Sequence, residues 1–167
     1  MVVARDVIVA VAALWPLTAA VAQTAAPPPA PAAQAPAGPT RAPAEAKLYF
    51  IAPVNGARIR GPFTVQFGLR GMGVTQAGVT TPNTGHHHIL IDVNTPLDLN
   101  EPIPADKSHV HFGGGQTETR LDLAPGRHTL QLILGDASHR PFSPLVASEK
   151  IEVTVLRPTP RKKKRPR

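Results

Sequence analysis

"TGHHHILIDV", residues 84–93, decides how this chain is read. In a β-strand, side chains alternate between the two faces with a period of two. Ile89, Ile91 and Val93 then share one face, and His87 continues it. His86 and His88 share the opposite face with Leu90 and Asp92. The triplet is therefore split. One imidazole caps the core end of the strand, and two project together from the other side.

The same period extends outward on both sides. "KLYFIAP" (47–53) reads as a short strand ended by Pro53. "FTVQFGLRG" (63–71) alternates Phe63, Val65, Phe67 and Leu69. "TRLDLAPG" (119–126) ends in a Pro-Gly turn, "RHTLQLILGD" (127–136) alternates Leu130, Leu132 and Leu134, and "EKIEVTVL" (149–156) alternates Ile151, Val153 and Val155. Twenty prolines and thirteen glycines suit strands separated by turns, and 4% aromatic residues make any core aliphatic. Roughly seven short strands without a useful helical period predict an all-β domain over residues 47–157, an immunoglobulin-like antiparallel β-sandwich. Two connections, 72–84 and 94–109, are too long for simple turns, and both adjoin histidines. Such excursions are usually functional or disordered.

The flanks differ in composition. Residues 1–22 read as an export signal, with Arg5 before the apolar run "VIVAVAAL" (7–14) and a small-x-small cleavage pattern at "AVAQ" (20–23). An uncleaved membrane anchor is the alternative. Residues 23–46 are almost all Ala and Pro, which predicts an extended, disordered spacer. The 18 Lys and Arg against 11 Asp and Glu give a net charge of +7, and "RPTPRKKKRPR" (157–167) carries seven of those cations with no acid. The high charge thus describes a tail, with 158–167 expected to be disordered. Its expected partners are lipid headgroups or anionic envelope polymers; solvation alone is the plainer reading. Nucleic acid is not expected for an exported chain in the periplasm or cell envelope. The chain has no cysteine, which excludes disulfides, thiolate metal sites, a cysteine nucleophile and a lipoprotein anchor.

Several segments resemble a known family. "NTGHHHILID", "HVHFGGGQTETRLDLAPGRHTLQLILGD" and the segment before the last strand resemble an uncharacterised family of bacterial exported domains, recognised by a triple histidine and an H-F-G-x-G-Q-T-E segment. The resemblance spans roughly residues 50–155 and implies no established activity. It also implies a further histidine near position 142 in many relatives, where this chain has Phe142. If that histidine is a ligand elsewhere, its absence weakens a metal reading here.

The histidines carry the candidate chemistry. His86-x-His88 and His109-x-His111 each place two imidazoles about 7 Å apart on one strand face, close enough to converge on one ion. "GDASH" adds Asp136 and His139 at a strand end. The expected metal ligands are His86, His88, His111, Asp136 and His139, a nitrogen and oxygen set that suits Cu(II) or Zn(II). The alternative leaves His86 and His88 on an exposed rim, with His87 and His128 buried and bonded to loop carbonyls. "HFGGGQTE" (111–118) either lets backbone N–H groups approach a small polar ligand, or bends the chain through Gly113 to Gly115. In the first case His87, Gln116 and Glu118 are further ligand contacts. It is no phosphate loop, since the Gly-Lys-Ser/Thr ending is missing. Three function classes follow. The leading one is an exported, non-enzymatic binding module with a histidine-lined site. The others are a structural envelope module in which the histidines only pack, and a cupin-like metalloenzyme using His86, His88, Asp92 and His128.

Overall fold

A computed structural model describes residues 38–158 of the chain. The segment read as an export signal, most of the Ala/Pro segment and the basic tail from residue 159 lie outside the described residues. Nine strands are present among the described residues: β1 Lys47–Ala52, β2 Ala57–Arg60, β3 Phe63–Arg70, β4 Gly73–Val74, β5 Thr84–Ile91, β6 His109–His111, β7 Glu118–Leu121, β8 Gly126–Gly135 and β9 Ile151–Leu156. The all-β expectation holds.

The strands form two sheets, one of order β1-β3-β7 and one of order β2-β9-β8-β5-β4, with β6 also paired to β5. The sheets face each other across one apolar core. Leu48, Phe63, Val65 and Phe67 come from the smaller sheet; Ile89, Ile91, Leu130, Leu132, Leu134, Val153 and Val155 come from the larger. Apart from Leu69, which is only partly buried, and Val93, the inward positions read from the alternation are the buried ones, each large aliphatic side chain contributing about 1.5–3 kcal/mol on removal from water. Pairing is not wholly antiparallel, because β2 runs parallel to β9 and β4 parallel to β5. The Pro125-Gly126 turn carries the chain from one sheet to the other: β7 pairs with β3, whereas β8 pairs with β5 and β9.

β5 is central, and every residue of it after Thr84 is buried. One side is hydrogen-bonded along β8, with His86 opposite Gly135 and His88 opposite Ile133. The other side is shared by β4 and β6, which places His111 opposite His88. The face away from the main core has its own cover. Leu90, Ile103 and Ile133 form a second apolar cluster, joined by Val93, Leu97 and Ala147. Ile103 comes from the long 94–109 excursion, which is docked by the bond from Ile103 N–H to the His139 carbonyl, 2.8 Å. The other long connection is tied down by β4 and by Ala77 N–H to the Gly113 carbonyl, 2.9 Å.

Two local expectations need correction. Val93 does not share the face of Ile89 and Ile91. Asp92 has φ 58°, which ends the alternation and turns Val93 toward Leu90 and Leu97. Ordered pairing also begins inside the Ala/Pro segment. Arg41 bridges Ser143, Ala42 N–H donates to the Ser143 carbonyl and Ser143 N–H to the Thr40 carbonyl.

Candidate metal centre

His86, His87 and His88 are all 0% exposed. The alternation separates them as the sequence implies. His87 lies opposite Leu134 on the core face, its ring 5.1 Å from that of Phe67. Its Nδ1 lies 3.1 Å from the Gln116 carbonyl, so Nδ1 carries the proton and donates. His86 and His88 occupy the opposite face, where His111 and His139 meet them. His111 arrives by its register against His88 on β6. His139 arrives on a tight turn after β8, in which His139 N–H donates to the Asp136 carbonyl and Asp136 N–H to the Arg140 carbonyl, both 2.9 Å. His139 itself has φ 64°.

The four rings pack edge to face and tilted. Ring centroids are 4.9 Å apart for His86–His88, 5.0 Å for His86–His111, His86–His139 and His88–His111, and 4.8 Å for His111–His139. One ring nitrogen from each of His86, His111 and His139 lies within 4.8 Å of the others. His88 Nε2 lies 3.1 Å from His86 Nε2. A tetrahedral ion with 2.0–2.1 Å bonds to imidazole sets its donors roughly 3.3 Å apart. The His86–His88 pair is already at that spacing, whereas the nitrogens of His86, His111 and His139 converge more loosely, within 4.8 Å, and His88 is tied to that group only through His86.

Two observations set the chemistry of the cluster. First, its nitrogens are short of partners: His86 Nδ1, His88 Nδ1 and His111 Nε2 are buried without a hydrogen bond among the described residues. A buried polar atom left unpaired costs about 1–3 kcal/mol, and of these three only His111 Nε2 would gain a partner from an ion held by the Nε2 atoms of His86 and His88. Second, His86, His88 and His111 are held neutral. Burial pushes His86 down to about 4, helped by the neighbouring His139 and His111 and opposed by Asp136. Burial with His86, His111 and His139 nearby pushes His88 to about 3, and burial with His139 nearby lowers His111. At neutral pH His86, His88 and His111 present lone pairs and no positive charge.

The remaining sequence candidates lie elsewhere. Asp136 is not grouped with the three histidines whose ring nitrogens converge. Its carboxylate is engaged in shaping the turn, accepting from Ser138 N–H at 2.8 Å, Arg140 N–H at 3.0 Å and the Thr40 hydroxyl at 2.6 Å. Gln116 and Glu118 are exposed. The Gln116 side chain accepts from Gly114 N–H, and Glu118 accepts from Gln66. Only the backbone carbonyl of Gln116 matters to a histidine, through His87. His109 pairs with Asp106, 3.0 Å, instead of joining His111. Asp92 and His128 pair with each other at 2.7 Å, and His128 Nε2 donates to the Ala124 carbonyl. Partial burial alone would lower His128, but the Asp92 carboxylate and that carbonyl outweigh it and raise it. Asp92 follows His88 by about 13 Å of strand, so the cupin-like set does not assemble. Phe142 is a core residue, 1% exposed.

Two glycines border the cluster: Gly113, which the sequence marks as part of a bend or a ligand-approach loop, and Gly135, which it does not single out. A Cβ at Gly135 would lie 2.8 Å from His88 Nε2 and 3.5 Å from His86 Nε2. A Cβ at Gly113 would lie 2.9 Å from His111 Nε2. "LILGD" and "HFGGG" carry these glycines beside histidine segments, but only the β5–β8 register shows which ring each one faces.

The family match covers the candidate site. The DUF4399 family, described as a domain of unknown function, matches residues 65–156. The chain belongs to this family. The matched residues include all four clustered histidines and both glycines. None of the curated proteins compared with the chain matches it. Among solved structures, the X-ray structure of the endo-beta-1,4-mannanase from Thermotoga petrophila is similar at 15% identity and TM-score 0.42. That likeness covers 68% of this chain and 20% of the enzyme's, and it assigns neither fold nor activity.

Proposed function

We propose that this DUF4399 domain is an exported, non-enzymatic module that binds a divalent transition metal, Cu(II) or Zn(II), through its clustered histidines. The observation that carries the reading is the convergence of His86, His111 and His139 nitrogens within 4.8 Å, with His88 alongside. Neutral imidazoles favour borderline ions such as copper and zinc over hard ions, which prefer oxygen. The lack of positive charge argues against an anion as ligand. Asp136 is occupied in the turn and is no free base beside the cluster, which favours holding over catalysis. Export to the periplasm or cell envelope is proposed from the apolar run before the Ala/Pro segment, and the basic tail would favour anionic envelope polymers or lipid headgroups.

The test is calorimetric titration of metal-free protein, purified without a His-tag, together with elemental analysis of protein as isolated. One ion per chain, lost in a His86→Ala, His111→Ala double variant, is the expected result. Absence of Cu(II) and Zn(II) uptake by the parent chain refutes the reading.

A further inference from the structure

The number of ligands decides what a metal site can do. Three protein ligands leave a position for water or substrate, whereas four closed ligands hold an ion without offering it for reaction. Resting on the metal-binding reading, we propose that this centre is a closed four-imidazole site, with His88 as the fourth ligand, and that the ion is held cargo instead of a reaction centre.

Three observations support closure. His88 Nε2 is 3.1 Å from His86 Nε2, so the two nitrogens, on adjacent same-face positions of β5, are close enough to bind one ion once the hydrogen bond between them is given up. The His88 ring is 5.0 Å from His111 and 6.2 Å from His139, which puts it within the same cluster. The flanks of the cluster are then blocked by backbone. The space between Gly135 and His88 Nε2 is smaller than a methyl group, and so is the space between Gly113 and His111 Nε2. A water molecule is about the size of a methyl group, so neither of these two flanks admits a further ligand. His86 and His88 are wholly buried, while His111 and His139 are half-exposed. An ion would therefore enter past His111 and His139 and end against the buried pair.

The apo pair has a simple proton account. The short Nε2–Nε2 contact is a hydrogen bond in which one imidazole carries the proton on Nε2. Metal ligation requires that proton to leave Nε2 and the same ring to be protonated at Nδ1. The ring stays neutral, and its Nε2 lone pair goes to the ion.

The test uses the full chain loaded with one equivalent of Cu(II), with azide as a probe of any open position. A closed site gives no azide-to-copper charge-transfer band, low water-proton relaxivity and a four-nitrogen electron paramagnetic resonance pattern. His88→Ala should convert this to a three-nitrogen pattern, with higher relaxivity, an azide band and a loss of Cu(II) affinity on the order of 100-fold. An azide band or high relaxivity in the parent chain overturns closure while leaving metal binding intact, and this measurement needs no variant to fold. An unchanged copper spectrum in His88→Ala likewise removes His88 from the ligand set. Failure of the parent chain to bind Cu(II) at all removes the metal reading as well.

Discussion

His87 is one of three buried histidines that make the metal-free domain sensitive to acid, and His87→Leu is the perturbation that isolates its share. Its ring is wholly buried against Phe67, with Nδ1 donating to the Gln116 carbonyl and Nε2 unpartnered. Charging the ring would create a second N–H with no acceptor in the core. Burial accordingly pushes His87 from 6.5 down to about 4, against the raising effect of the Gln116 carbonyl. The unfolded chain takes up this proton below about pH 6.5 while the folded chain refuses it until about 4, so stability is intact above that window and falls as pH drops through it. From pH 6.5 to 5 the loss is about 1.5 pH units at about 1.4 kcal/mol each, roughly 2 kcal/mol. Leucine preserves most of the packing but leaves the Gln116 carbonyl without its donor, costing about 1 kcal/mol at pH 7. The variant should therefore be less stable than the parent at pH 7 and equal or more stable at pH 5. His86 and His88 titrate in both proteins, so their effect cancels in the comparison. Urea unfolding at the two pH values, with EDTA present, measures it. Equal losses in parent and variant between pH 7 and 5 would refute the reasoning.

Other positions separate holding the ion from holding the fold. Gly135→Ala should displace His88 and weaken Cu(II) binding by at least about tenfold, with an overpacking cost of about 1–3 kcal/mol, as read by titration and thermal melts. His111→Ala and His139→Ala, both half-exposed, should lose metal while shifting the metal-free melting temperature little; a large destabilisation without metal would mark them as packing residues. Asp136→Ala removes the acceptor for Ser138, Arg140 and Thr40 and should cost on the order of 2–3 kcal/mol. The same change should loosen the His139 turn and lower Cu(II) affinity about 10–100-fold, with a carboxylate-preserving Asp136→Glu variant as comparison. Mass spectrometry of the cell-envelope fraction should find a mature chain beginning near Gln23, and retention of Met1 or Val2 would contradict export with cleavage.

The all-β class was legible in the sequence because period-two alternation is a local property of the strand. Phe63, Val65 and Phe67, or Leu130, Leu132 and Leu134, face the core wherever their strands pair. The division of His86 and His88 from His87 followed from the same parity. Parity names a face, however, and not what covers it. Whether His86 and His88 would be rim or interior depended on Ile103 and Leu97 docking over β5 and on the 136–148 segment folding back along β8, contacts between residues distant in sequence. His111 rather than His109 joined the cluster because the β5–β6 register sets His111 opposite His88, while Asp106 captures His109. Asp136 read as a ligand because a carboxylate near a histidine resembles one. The turn geometry gave its oxygens to Ser138, Arg140 and Thr40 instead, and Thr40 lies in a segment whose composition predicts a free spacer. Side-chain chemistry and parity are written residue by residue along the chain, but partners belong to the register and the loops, and these are set when distant segments compete for the same buried surface.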